Sequence, residues 1–330
     1  MKPLKFGLIG CSSIAQRRMA PALCAFPHTQ LERAGSRDAA KAAEFARQFK
    51  CAKSGSYEAV LNDPEVDAIY VSTPPALHEP WVRAALNHGK HVLCEKPAFP
   101  NLQIASEMVE LARRQGKQLM EGYMFQYHPQ HARVRSLVDA GRIGDLRVVQ
   151  SEFTFPMPAG NSFRRQNELG GGVLSDATGY PVAAAMMLFQ AMPEAVSCRL
   201  GLDDTGVDQL AAITLDFSGG RMAQLLTGYG LHYRSRYVAL GSLGRIEATR
   251  AFAVPPDRAT TITVESDKDS ETLTVSPADQ FQLMLKVFVN SINDPAESAT
   301  QTKRLLRQHA VMEAARHSHL EKKIIPITPI

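Results

Sequence analysis

The sequence predicts a mixed α/β fold in two parts, a doubly wound parallel sheet followed by an α+β unit on a mainly antiparallel sheet. Three observations predict it. Up to about residue 122, short apolar runs alternate with amphipathic helical patterns, the grammar of parallel strands joined by crossover helices. Beyond that point strand-like runs follow one another across tight turns such as Ser218-Gly219-Gly220. Finally, 330 residues, 45% hydrophobic and 21% charged, are enough for two cores, here 1–122 and 123–330.

Residues 5–9 are the first strand. Gly10-Cys11-Ser12-Ser13-Ile14-Ala15 follows, then a helical pattern over 15–25. Strand, small-residue turn and helix is the arrangement that receives a dinucleotide pyrophosphate on backbone N–H groups and a helix N-terminus. The spacing is that of G-x-G-x-x-G, with Ser12 at the second Gly and Ala15 at the third. The Ser12 hydroxyl is placed to bond a phosphate. Gly10, Cys11, Ser12, Ser13 and Ile14 are therefore the first candidate cofactor residues. The second strand, 31–36, ends in Gly35-Ser36-Arg37. A carboxylate there would take the ribose 2′-OH of NAD; Ser36 and Arg37 suit a 2′-phosphate instead, so the cofactor expected is NADP(H). A solvated Arg37 beside an N-cap Asp38 is the plainer reading.

Asp38 caps a helix in which Phe45, Ala46 and Phe49 share a face, and Ser56 opens a shorter one stopped by Asp63-Pro64. Residues 66–72 read as a buried parallel strand, running into Thr73-Pro74-Pro75-Ala76-Leu77-His78. A helix over 80–88, closed by Gly89, precedes a strand over 91–94. That strand runs into Glu95-Lys96-Pro97. Two opposite charges and a φ-locked residue thus stand where an open parallel sheet keeps its ligand crevice. Thr73, Pro74, His78, Glu95 and Lys96, all beyond strand ends, join the cofactor candidates. The plain alternative for Glu95-Lys96 is a surface ion pair worth about 0–1 kcal/mol. A helix over 101–115, ended by Gly116, and a strand over 118–123 complete this part.

The second part begins with a helix over 130–140 and a long strand over 146–155. Gly170-Gly171-Gly172 precedes a helix over 174–190, on which Asp176 and Tyr180, four apart, share a face. Three glycines let such a helix start close to something bulky. A Tyr there can donate a proton to a developing alkoxide, and a nearby Lys⁺ eases the donation. The alternative is a core Tyr whose hydroxyl is satisfied by Asp176. Strands are expected over 195–201, 209–217, 221–228, 237–241, 245–250, 260–265 and 271–275, and helices over 278–293 and 299–317 close the chain.

The net charge of +4 comes from 37 basic and 33 acidic residues without a dense Lys/Arg run, which argues for a small anionic ligand rather than nucleic acid. Five cysteines without a CxxC pair imply reduced thiols, a cytoplasmic setting and no metal centre. No apolar run approaches the ~20 residues of a membrane span.

These pieces also occur together elsewhere. Gly7-Leu8-Ile9-Gly10-Cys11-x-x-Ile14-Ala15, Thr73-Pro74-x-x-x-His78, Glu95-Lys96-Pro97 and Gly170-Gly171-Gly172-x-x-x-Asp176 resemble the ordered motif series of the glucose-fructose oxidoreductase / inositol dehydrogenase (Gfo/Idh/MocA) family. The resemblance implies a Rossmann domain, an open-faced sheet domain, a nicotinamide cofactor and a sugar or cyclitol substrate. Many members carry a His where this chain has Tyr180. The stretch from Met120 through Tyr123 and His128 to His131, with Phe163-Arg164-x-Gln166 and Tyr180, is similar to the nucleotide-sugar 3-ketoreductase branch. There the residues matching Lys96 and Tyr180 are the catalytic pair and NADPH is the reductant. Tyr123, His128, Arg164 and Asp176 join Lys96 and Tyr180 as candidate substrate contacts, Arg164 bordering the cofactor as well. Two alternatives stand beside this reading: an NADP-dependent sugar or dihydrodiol dehydrogenase, and a dinucleotide sensor of the same fold without turnover. An open sheet face needs covering, so a homodimer or homotetramer is expected.

Overall fold

The computed structural model describes residues 2–157, 160, 162–267 and 269–330. The chain forms two compact units. The first is Met1–Met124 with Phe281–Leu306, and the second is Phe125–Gln280 with Arg307–Ile330.

The first unit holds six parallel strands, β1 (Leu4–Ile9), β2 (Thr29–Gly35), β3 (Lys53–Gly55), β4 (Ala68–Val71), β5 (His91–Cys94) and β6 (Leu119–Glu121), in the order β3-β2-β1-β4-β5-β6. Every residue of β4 is buried, as a parallel strand covered on both faces requires. The order reverses between β1 and β4, which puts a crevice beyond the carboxyl ends of those two strands. The helices begin where capping chemistry places them. A π-turn over Ala15–Met19 leads into α1 (Ala20–Ala25). Asp38 accepts from Lys41 N at the head of α2 (Ala39–Gln48), and Ser56 from Ala59 N at α3 (Tyr57–Leu61). Then come α4 (His78–Asn87) and α5 (Leu102–Arg114), the latter capped by Asn101. The edge strand β3 carries no apolar side chain, so no pattern announces it; it exists through its pairing with Arg33, Ala34 and Gly35.

A single cut near residue 122 does not describe the units. The helix α9 (Gln280–Ser291) and the first part of α10 (Pro295–Glu321) return to the first unit. Phe281, Met284, Leu285 and Phe288 are buried, and the Phe288 ring lies 5.7 Å from that of Phe6. Ser298 Oγ donates to Gln118 Oε1 at 2.6 Å, and Leu305 joins the core around Ile69 and Val92.

The second unit comprises α6 (Pro129–Asp139), β7 (Leu146–Phe155), α7 (Val173–Asp176), α8 (Gly179–Phe189), β8 (Ala195–Leu202), β9 (Asp208–Phe217), β10 (Arg221–Tyr229), β11 (Arg234–Gly241), β12 (Gly244–Ala248), β13 (Thr260–Ser266), β14 (Ser270–Val275) and β15 (Ile325–Pro326), with the rest of α10. Its nine-stranded sheet runs β14-β13-β12-β11-β7-β10-β9-β8-β15. All pairings are antiparallel except β7 with β10. Period-2 alternation divides its faces: Val149, Ser151 and Phe153 are buried, while Gln150, Leu210, Met222 and Leu226 are exposed.

The helix expected over 174–190 is two helices. Pro181 has no N–H to continue the ladder and its ring crowds the carbonyl four residues back, so the chain breaks at Ala177-Thr178. Thr178 fills the gap: its Oγ1 bonds Val173 O at 3.0 Å and meets Thr227 Oγ1 at 2.6 Å. Asp176 and Tyr180 therefore stand on different helices, not on one face of one helix.

Candidate active site

The first unit carries a cradle at its switch point. Gly10 has φ +105°, and a Cβ there would lie 3.1 Å from the Ser72 carbonyl and Thr73 N, so only glycine lets β1 turn so close to the end of β4. Ser72 Oγ donates to Gly10 O at 2.7 Å and accepts from Ser12 Oγ at 3.0 Å. Ser12 Oγ in turn accepts from Ala15 N at 3.2 Å. The hydroxyl expected at a phosphate is thus committed inside the turn, where it caps the helix. Ser13 and Ile14 begin that helix. Cys11 Sγ points to Gly35 O at 3.5 Å, and burial pushes the thiol up to about 11, so it stays neutral.

Thr73 Oγ1 is buried and bonded to nothing, beside Gly10. An orphaned hydroxyl next to a glycine cradle fits a ligand whose polar atoms complete the set. At the end of β2, Ser36 Oγ accepts from Asp38 N at 3.1 Å, while Arg37 is exposed next to the Tyr57 hydroxyl. Pro74 opens the short turn Pro75–Leu77 that leads into α4.

Beyond β5, the residues around Lys96 are held by side chains from β4, α4 and β6. Glu95 Oε1 accepts from Tyr70 OH at 2.5 Å, and the Lys96 N–H donates to Glu95 Oε2 at 3.3 Å. The Lys96–Pro97 peptide is cis. Pro97 O lies 2.9 Å from His78 Nδ1, and Ala98 N donates to Glu121 Oε1 at 2.8 Å. Glu95 and Glu121 are both buried. His78, counted with the cofactor residues from its place past a strand, is not at a surface. It is 1% exposed, and its Nε2 lies 2.8 Å from Thr73 O. Both ring nitrogens are committed to backbone carbonyls, so His78 reaches a ligand only through Thr73 and Pro97. Burial lowers its pKa, and a neutral ring donates to one carbonyl at a time. Tyr70 and Glu121 were not singled out in the sequence. Glu121 carried the signal that marked Glu95, a carboxylate at a strand's carboxyl end; Tyr70 carried none.

The second unit surrounds Tyr180 with aromatic rings. Its ring centroid is 5.5 Å from Phe125, 5.1 Å from Phe153 and 5.7 Å from Phe252. Asp176 does not serve as a satisfied partner for Tyr180 alone. It takes Arg164 Nε at 2.6 Å and Tyr229 OH at 3.0 Å. Burial, with the Asp176 carboxylate, pushes the Tyr229 hydroxyl far above its usual range, so it remains a donor. Arg164 is anchored by that pair and lies 4.9 Å over the Phe163 ring. The glycine run makes room for the chain itself: a Cβ on Gly171 would meet Phe163 O at 2.5 Å, and one on Gly172 would meet Asp208 Oδ1 at 2.1 Å. Asp208 Oδ2 accepts from Leu174 N at 2.5 Å and so heads α7. Neither Tyr229 nor Asp208 had a local signal, since both act across long sequence separations.

His128 was expected at the substrate but is 1% exposed, with Nδ1 accepting from Gln130 N at 3.3 Å at the head of α6. Neighbouring His131 is buried against Tyr237, whose OH lies 2.9 Å from Nδ1. Tyr123 is buried at the end of the first unit. No helix among the described residues is long and apolar enough to cross a membrane.

A glycine cradle with an unsatisfied hydroxyl at the switch point of a β3-β2-β1-β4-β5-β6 sheet is the mark of dinucleotide-binding proteins. Residues 4–123 match the oxidoreductase family with an NAD-binding Rossmann fold, and residues 131–247 match the GFO/IDH/MocA C-terminal domain. The chain belongs to the GFO/IDH/MocA family of oxidoreductases. It is 36% identical over 320 residues to a dTDP-3,4-didehydro-2,6-dideoxy-alpha-D-glucose 3-reductase of Saccharopolyspora spinosa, covering 95% of this chain and 96% of that one. A D-xylose 1-dehydrogenase (NADP(+)) of Haloferax volcanii is 31% identical, over 88% and 89% of the two chains. Among solved structures, a 3-ketoreductase from Actinomadura kijaniata in complex with NADP and TDP-benzene superposes with a TM-score of 0.93 at 34% identity, over 96% and 98% of the two chains.

Proposed function

We propose that this chain is an NADPH-dependent ketoreductase that reduces a nucleotide-linked 3-keto sugar. The observation that carries it is the lysine–tyrosine pair. The Actinomadura 3-ketoreductase was also solved as variants at a lysine and at a tyrosine, and those two positions lie as far apart in its sequence as Lys96 and Tyr180 do here. In this chain Lys96 stands on a loop tied by His78 of α4 and Glu121 of β6, and Tyr180 stands among aromatic rings that hold it in place.

The cofactor residues fit the group the relatives bind. Backbone N–H groups from Cys11 to Ile14 and the helix that follows take the pyrophosphate; Thr73 Oγ1 gains the partner it lacks. Ser36 and Arg37 take the 2′-phosphate, since no carboxylate ends β2. When bound, NADPH supplies the hydride. Lys96 steadies the oxyanion that forms at the carbonyl, an electrostatic contribution often worth several kcal/mol in a water-poor site. Tyr180 hands its phenolic proton to that oxygen. Arg164 and Asp176, bonded to each other, hold the end of α7, just ahead of the helix that carries Tyr180.

The xylose dehydrogenase relative supports a second reading, oxidation of a free sugar with NADP⁺. A sensor without turnover is the third, and it has no need of Lys96 and Tyr180 together. Single-turnover NADPH oxidation with a 3-keto nucleotide sugar separates them. Turnover that falls at least 100-fold in Lys96→Met and Tyr180→Phe supports the ketoreductase, on the usual scale of acid catalysis of about 10²–10⁴. Oxidation of free xylose in preference moves the assignment to the dehydrogenase, and no reaction in either direction moves it to the sensor. Arg37→Ala is expected to erase most of the preference for NADPH over NADH. In the same reading a second copy covers the sheet face that carries Leu210, Met222 and Leu226, giving a homodimer or homotetramer, and the free thiols suit the cytoplasm. Sedimentation as a monomer at micromolar concentration would remove the oligomer.

A further inference from the structure

We propose that His78 is a positioning residue that holds the Lys96 loop in register with the cofactor turn at Thr73. The inference rests on the role given to Lys96 above. Side chains tie the loop to its surroundings: Tyr70 to the Glu95 carboxylate, Glu121 to Ala98 N, and His78 to Pro97 O. His78 also reaches the other way, its Nε2 2.8 Å from Thr73 O, on the residue whose unsatisfied hydroxyl lies in the cradle, and its one proton is shared between the two carbonyls. Its ring bridges the carboxyl ends of β4 and β5, the strand beside the switch point and the strand that presents Lys96. At 1% exposure, water does not replace it. One rigid planar ring thus sets the spacing between the turn that borders the cofactor and the loop that aims the charge. Both of its ring nitrogens face backbone carbonyls.

A merely structural His78 would lower the melting temperature and leave the chemistry of Lys96 unchanged. A double-mutant cycle distinguishes the two. His78→Phe keeps the ring and deletes both polar contacts; His78→Gln keeps an amide that reaches one carbonyl. Each is made alone and with Lys96→Met. Single-turnover NADPH oxidation with a 3-keto nucleotide sugar is measured at saturating NADPH, beside NADPH titration. His78→Phe is expected to slow the reaction about 10- to 100-fold, the scale of a misplacement of about 1 Å, and to weaken NADPH less than about tenfold. His78→Gln recovers part of the rate. Lys96→Met, costly in the wild type, costs less once His78 is Phe, by about the same 10- to 100-fold that His78→Phe has already taken, because a residue already misdirected has less left to lose. Equal losses from Lys96→Met in both backgrounds overturn the proposal while leaving the ketoreductase reading intact. A wild type that reduces no keto sugar removes that reading, and this proposal with it. If His78→Phe does not fold, the cycle with His78→Gln decides on the same criterion of coupled against equal losses.

Discussion

Replacing Thr73 by valine should make the free protein more stable and its cofactor affinity worse. The side chain is 8% exposed, and its hydroxyl has no partner. A buried, unbonded polar group costs roughly 1–3 kcal/mol of desolvation, and an apolar group of the same shape removes that cost. Valine matches the shape and suits the extended backbone required before Pro74. Taking the lower end, because the hydroxyl borders a crevice, Thr73→Val should gain about 1 kcal/mol. For a chain of this size that is a rise of about 2 °C in melting temperature. In the complex the sign reverses. The lost bond is worth about 1 kcal/mol if neutral and about 2 kcal/mol if its partner is charged, which is roughly a fivefold to thirtyfold weakening of NADPH. Thermal unfolding without cofactor gives the first quantity and fluorescence titration the second. A destabilised free protein, or an unchanged dissociation constant, would refute the reasoning, since either result means the hydroxyl is already satisfied or is not where the cofactor lies.

Other outcomes can be checked on the same protein. Burial holds the imidazole of His131 at about 3 and that of His91 at about 4, and His91 Nδ1 accepts from Gln118 N at 3.0 Å. Both rings are neutral when folded, so their contribution is complete above pH 6.5 and declines as the unfolded chain takes up protons below it. At pH 5 each should have cost about 2 kcal/mol, and urea melts between pH 7 and 5 should become shallower in pH for His91→Gln. Gly172→Ala combines φ +95° with a Cβ 2.1 Å from Asp208 Oδ1, so it should lose about 2 kcal/mol or more by denaturant titration. Phe288→Ala should lose about 3–5 kcal/mol although Phe288 lies far along the chain from the sheet it covers. A thiol count under denaturing, non-reducing conditions should find five.

What the sequence discloses follows from range. Strands β1, β4, β5 and β7 were legible because burial on one or both faces writes itself into consecutive residues. The turn at Gly10 and the position of Lys96 were legible because both sit where a strand stops. The commitments of side chains were not. Ser12 looks the same in sequence whether its hydroxyl meets a phosphate or Ser72. The imidazole of His78 is assigned only once Pro97 and Thr73 are known to flank it. Nothing near Asp208 announces that it heads a helix thirty-four residues earlier in the chain. The break before α8 was readable, since Pro181 stands inside the apolar run that predicted one helix. The return of α9 was not, because a buried amphipathic helix carries no mark of which sheet it will cover.

That return sets a delay in the life of each new molecule. The sheet of the first unit is complete once Glu121 has been made, but part of its cover lies in Phe281–Leu306, after the whole of Phe125–Gln280. At synthesis rates of about 5–20 residues per second, the interval is about 10–40 s. During it Phe6 and its neighbours have no α9 to pack against, and the nascent chain presents an apolar sheet face to whatever else is near. Ribosome-bound chains stalled near residue 280 should therefore bind an apolar-surface dye that the released, full-length chain does not. A substitution in α9 would accordingly lower the yield of soluble protein by lengthening an exposure that every copy passes through, even where the finished enzyme tolerates it.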